Sequence, residues 1–71
     1  MPVTSIYRWR GNVEEQAEWV CQCKTTSERI ETLTARIRAL HTYEVPEIIT
    51  VPVLSGYVPY LQWVADSVGE V

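Results

Sequence analysis

The sequence contains no phenylalanine; its large side chains are three Trp and four Tyr, and each of these carries a polar atom that needs a hydrogen-bond partner or water. Some of these rings therefore belong at edges or interfaces. Two cysteines are too few for the disulfide framework of a small secreted domain. The opening Met1-Pro2-Val3-Thr4-Ser5 has neither the basic end nor the apolar stretch of a signal peptide, so the expected compartment is a reducing cytoplasm. No apolar run approaches the roughly 20 residues that span a bilayer, and direct membrane association is not expected. Positive charge is also scarce. Six Lys plus Arg face nine Asp plus Glu, a net charge of −3, whereas nonspecific nucleic-acid binding relies on clustered cations that release phosphate counterions. Nucleic acid is thereby excluded as an expected partner. Gly11, Gly56 and Gly69 are isolated and do not form a phosphate-binding loop.

What remains is a chain of 71 residues, 46% hydrophobic and 21% charged. That suits a single soluble domain near the lower size limit for a self-sufficient core. Thr4 to Trp9 is rich in β-branched and aromatic residues and runs into Gly11-Asn12, a pair suited to a tight hairpin turn. From Val13 to Lys24 the odd positions Val13, Ala17, Trp19, Cys21 and Cys23 are mostly apolar and the even positions mostly polar, which predicts a second strand with those five on one face. Thr25 and Glu28 stand at capping-box spacing, with Ser27 as the alternative cap. Ile30, Leu33, Ile37 and Leu40 then form a helical stripe that ends near His41-Thr42. Pro46 and Pro52 bracket a third expected strand over Glu47-Ile48-Ile49-Thr50-Val51, and Pro59 opens a final helix with Leu61, Val64, Ala65 and Val68 on one side. The order hairpin, helix, strand, helix defines a one-domain α+β chain. Three strands leave open sheet edges, for which oligomerisation is the usual remedy.

Few residues offer chemistry. Cys21 and Cys23, two apart on the expected strand, are either small core residues or soft ligands for Cu(I) or Zn, and no second cysteine pair completes a four-ligand site. His41 precedes Glu44 and Glu47, offering one imidazole and two carboxylates to a divalent cation; a histidine at a helix C-terminus also serves simply to satisfy terminal carbonyls. Glu14, Glu15 and Glu18 read as a solvated acidic face. A nucleophile needs an oriented base beside it, and the single histidine and inward-facing thiols do not favour an enzyme. The seven rings fit either a ligand-lined or intersubunit cleft or ordinary packing.

Four blocks, Val3 to Gly11, Lys24-Thr25-Thr26, Leu40 to Ile48, and Tyr60-Leu61-Gln62-Trp63-Val64, resemble in order and spacing the CutA family of divalent-cation tolerance proteins. The similarity runs from about Pro2 to Val68 and matches the last two thirds of a typical member. It implies a ferredoxin-like sandwich, here truncated to ββαβα, assembled as a homotrimer close in architecture to the PII signalling proteins. The family's first strand and helix are expected to be missing before Val3, so that sheet pairing is borrowed from other chains. The implied role is tolerance of divalent metal such as Cu2+, by binding and without established catalysis. By motif, His41, Tyr43 and Glu44 fall in a His-Pro-Tyr-Glu-like block, with Thr42 where proline is usual. Tyr7 and Trp9 fall in a Tyr-x-Trp block, Lys24 in a Lys-Thr block and Trp63 in a Tyr-Leu-x-Trp block. The expected metal ligands are His41, Glu44 and Glu47. The expected intersubunit cleft is lined by Tyr7, Trp9, Lys24, Tyr43 and Trp63, and the alternative function is a PII-like regulatory or interaction module that takes a small molecule or partner protein there.

Overall fold

A computed structural model describes residues 1–69. Strand β1 (Pro2–Trp9) pairs antiparallel with β2 (Asn12–Trp19), with Trp9 opposite Asn12 and Pro2 opposite Trp19. The turn between them is Arg10-Gly11, one residue earlier than the expected Gly11-Asn12. Arg10 has φ 50° and Gly11 φ 83°, the two positive angles that a two-residue hairpin turn of matching twist requires. A non-glycine residue is costly in that region, but the side chain of Arg10 is held: its guanidinium lies 5.4 Å from the Trp9 ring centre, and its Nη2 donates to Glu44 Oε2 at 2.8 Å.

The ladder closes where β1 runs out. Val20 N–H donates to Met1 O at 2.7 Å and the terminal ammonium donates to Val20 O at 2.9 Å. Beyond Val20 the chain has no partner strand, so Cys21 and Cys23 lie outside the sheet, free and exposed, and not in a core as expected. The expected third strand over Glu47–Val51 is likewise absent; it forms no ladder with either β1 or β2, and β-branched residues alone do not make a strand without a neighbour to receive their hydrogen bonds. Among the described residues the order is therefore ββαα.

A 3₁₀ turn over Ser27–Arg29 leads into α1 (Ile30–Leu40). The caps fall at Thr26 and Arg29 instead of the expected Thr25 or Ser27, and neither makes a side-chain cap bond; Arg29 N–H donates to Thr26 O at 3.0 Å. The apolar stripe is real: Ile30, Leu33 and Ile37 are half-buried, and only Leu40 at the end is exposed. The helix stops at His41, whose N–H donates to Ile37 O at 2.8 Å before the backbone turns extended. Helix α2 (Val58–Gly69) begins as expected near Pro59, with Tyr60 and Leu61 N–H groups both donating to Tyr57 O. Pro59 sits in the first turn, where its missing donor has no helical acceptor anyway.

No described residue is fully buried. The two faces of the hairpin also invert the expectation. Strand register puts Val13, Ala17 and Trp19 on one face with Ile6, as the period-two pattern predicts, yet that face is open, with Ile6, Val13 and Trp19 at 70%, 69% and 76% exposure. Partial cover falls on the opposite face, on Val3, Ser5, Glu14 and Glu18, beside which the chain after α1 passes. The accessible surface is 6717 Å², against about 4,500 Å² for a compact monomer of this mass. The radius of gyration is 15.4 Å, where roughly 11 Å is typical of this length. The single chain is an open layer.

Candidate functional site

The covered hairpin face and the chain after α1 enclose a groove of about 420 Å³ lined by Ser5, Ile6, Tyr7, Glu18, Tyr43, Val45 and Glu47. Antiparallel register explains why the hairpin contributes these groups. Val3 opposes Glu18, Ser5 opposes Gln16 and Tyr7 opposes Glu14, so all six project to one side and Ser5 lies diagonally next to Glu18. From the other wall, the end of α1 delivers His41 and Tyr43, whose rings meet edge to face at 4.6 Å. The Tyr43 N–H donates to His41 Nδ1 at 3.1 Å.

Glu18 is the electrostatic centre of the groove. Hydrogen bonding from the Ser5 hydroxyl, then from Tyr43, holds its carboxyl below the ordinary value, and the nearby His41 adds a smaller pull in the same direction. The same hydrogen bond, followed by the negative charge of Glu18, raises the Tyr43 phenol above its ordinary value. The signs fix the pH window. A depressed carboxyl contributes stability above its unfolded value of 4.5 and loses it as pH falls through the folded value. A raised phenol contributes below 10.0 and loses it as pH rises through its folded value. The link between hairpin and post-helix chain is thus expected to hold across neutral pH and to weaken in acid. Carbon-13 titration of the Glu18 carboxyl should show its midpoint moving up toward the ordinary value in both Ser5→Ala and Tyr43→Phe; midpoints unchanged in both variants would contradict this assignment.

The residues expected to form the site are distributed unevenly. Tyr7, Tyr43 and Glu47 line the groove, and His41 stands against Tyr43. Glu44 faces the hairpin tip instead, paired with Arg10, both side chains being about 70% exposed. Trp9 joins the same corner through the Arg10 guanidinium. Lys24 lies elsewhere, in a concavity with Cys23, Arg29 and Arg36, and Trp63 packs on Tyr60 along α2 at 6.0 Å between ring centres. Sequence reasoning passed over Glu18, Ser5 and Arg10. The usable signal was period two: once the turn is placed at Arg10-Gly11, Glu18, Ser5 and Tyr7 fall on one face.

Metal binding asks more of this arrangement than it offers in one chain. His41 Nδ1 is occupied, accepting the Tyr43 N–H. Glu44 is engaged by Arg10. Among the described residues no three His, Cys, Asp or Glu side chains gather to hold an ion. As placed, His41, Glu44 and Glu47 do not form a ready cation site.

An antiparallel hairpin followed by a stripe-bearing helix and a C-terminal helix defines a small α+β chain whose sheet face lacks cover. Its relatives are specific. Residues 1–67 match the family model described as CutA1 divalent ion tolerance protein, and the chain belongs to that family. A Xenopus laevis protein named Protein CutA homolog is 46% identical over 68 residues, which are 96% of this chain and 45% of the relative. The human protein named Protein CutA is 48% identical over 62 residues, covering 87% of this chain and 35% of that protein. The chain thus spans less than half the length of these relatives. Among solved structures, a divalent cation tolerance protein (Cut A1) from Thermus thermophilus superposes with a TM-score of 0.76 at 36% identity, over 92% of this chain and 63% of that one. This neighbour is consistent with a ferredoxin-like, PII-like fold.

Proposed function

We propose that the chain serves divalent-cation tolerance as a metal-binding homotrimer that binds without turning over a substrate, with copper as the cation and the cytoplasm as its location. The observation that carries this reading is the family match across residues 1–67. Trimer formation is supported by the excess accessible surface and the uncovered sheet face, and strands from sister chains are part of the proposal because Glu47–Val51 has no partner of its own. Two exposed free thiols suit a reducing compartment. No described helix is long and apolar enough to cross a membrane.

Within the proposal, His41, Glu44 and Glu47 are the cation ligands. Ligation through His41 Nδ1 would end the Tyr43 bond, and ligation through Glu44 would require it to leave Arg10. Calorimetric titration of Cu(II) and Zn(II) into the assembled protein and its His41→Ala variant tests the assignment. Supporting groups around metal ligands are worth about 10- to 100-fold in affinity, so loss of a ligand is expected to cost at least about 100-fold. Equal affinity removes His41.

The groove itself favours a second reading. Its volume of about 420 Å³ falls within the roughly 300–1,000 Å³ of small-molecule clefts, and aromatic walls surround a fixed carboxylate. A PII-like module recognising a small molecule or partner protein through Tyr7 and Tyr43, with Trp9, Lys24 and Trp63 contributed across subunits, would lose binding in Tyr43→Ala and be indifferent to His41→Ala.

A further inference from the structure

The lining of the groove is sorted by chemistry. Glu18 and Glu47 are acidic, Tyr7 and Tyr43 aromatic, Ile6 and Val45 aliphatic, and no described residue that lines it is basic. Strand register adds a third carboxylate on the same hairpin face, Glu14, directly opposite Tyr7. The neighbouring arginines are engaged or turned away. Arg10 is paired with Glu44 at the hairpin tip, and Arg8, next along the strand from Tyr7, belongs to the opposite face. His41 stands against the Tyr43 ring with its Nδ1 occupied by the Tyr43 N–H. The lining therefore carries negative charge between ring and aliphatic walls, with no cation in it to balance that charge.

From this arrangement we infer that the groove takes a protonated aliphatic amine, its ammonium set among the Glu18 and Glu47 carboxylates and the tyrosine rings and its methylenes along Ile6 and Val45. The inference rests on the small-molecule reading of the groove and names the ligand class. Charge selects first. An anion would meet two carboxylates and no cation, and a neutral ligand would strip water from those carboxylates without replacing the lost hydrogen bonds. A metal ion is the other kind of cation, but calcium takes six or more oxygens, and no three His, Cys, Asp or Glu side chains gather among the described residues. An alkylammonium uses all three kinds of wall. Its N–H donors match the carboxylate acceptors, its charge is attracted to the face of a tyrosine ring, and its chain is apolar. Ser5 and Tyr43 steady Glu18 as the carboxylate, so the acceptor is ionised at neutral pH.

Titration of the full chain with four probes, followed by backbone amide NMR, tests it. Putrescine and a lysine blocked at both backbone ends supply a free and a side-chain amine; butanol and butyrate are the neutral and anionic counterparts. Both amines are expected to shift the amides of Ser5, Tyr7, Glu18 and Tyr43, and butanol and butyrate to shift none. Tighter putrescine marks a free amine as the ligand, and tighter lysine a partner's side chain. Glu18→Gln should weaken amine binding about 10- to 100-fold, the weight of a hydrogen bond to a charged group, and Tyr7→Leu about two- to fivefold, that of an exposed cation–π contact. Glu15→Gln removes the same charge from the open face, opposite Ile6, and should leave affinity unchanged. Equal losses in Glu18→Gln and Glu15→Gln would reduce the effect to general charge attraction and overturn the inference. Butanol or butyrate binding as well as the amines would overturn the amine while the small-molecule reading stands; no shift with any probe would overturn both. The mapping on the wild-type chain decides the matter even where circular dichroism shows that a variant fails to fold.

Discussion

If the chain assembles as the proposed homotrimer, tenfold dilution is expected to shift its folding equilibrium by about 100-fold, equivalent to about 2.7 kcal/mol per trimer, because three unfolded chains would have to meet to regenerate one assembly. The reason lies in what the single chain fails to bury. Its accessible surface is 6717 Å² and no described residue is fully covered, whereas a stable monomer of this length needs a core of its own. A two-stranded hairpin is marginal in water by itself, and α1 presents a stripe of Ile30, Leu33 and Ile37 that is only half-buried. Denaturant titrations followed by circular dichroism at two protein concentrations measure the effect. A midpoint that stays put, together with the sedimentation of one chain, would remove the trimer.

Replacing Gly11 with valine should cost more than about 1–2 kcal/mol, the penalty for an ordinary L-residue in the left-handed region, because a β-branched side chain is worse placed there still. A Cβ at Gly11 meets nothing within 4 Å, so the loss would come from the backbone at φ +83° and not from a clash. The neighbouring position separates that cause from general disruption. Arg10→Asn keeps the left-handed preference of the turn while removing the ties to Trp9 and Glu44, and an exposed ion pair is worth only about 0.2–1 kcal/mol. Arg10→Asn should therefore be nearly neutral. Urea denaturation at fixed protein concentration compares the two; a Gly11→Val protein as stable as wild type would show that the turn is not under conformational constraint.

Elements whose stabilising contacts are local were legible in the sequence. The stripe of Ile30, Leu33 and Ile37, the stop at His41 and the start of α2 near Pro59 each depend on neighbours within a few residues, and the hairpin on two adjacent strands joined by a two-residue turn. What depends on distant chain was not. Glu47–Val51 has the composition of a strand but lacks a pairing partner, and Cys21 and Cys23 continue the alternation of β2 past the point where β1 can pair with it. The groove was half legible. Tyr7, Tyr43 and Glu47 stood out, while Glu18 was hidden in an acidic run because its partner Ser5 is brought to it by register and Tyr43 by the return of the chain after α1.

The open hairpin face is not uniformly greasy. Ile6 stands directly across the ladder from Glu15, and Val13 directly across from Arg8, so each aliphatic side chain is twinned with an ion of opposite sign to the other's. A featureless oily surface pressed onto this checkerboard would strip water from both charges and give nothing back. A surface bearing the mirrored charges would avoid that penalty, so the pattern of this face discourages promiscuous apolar sticking.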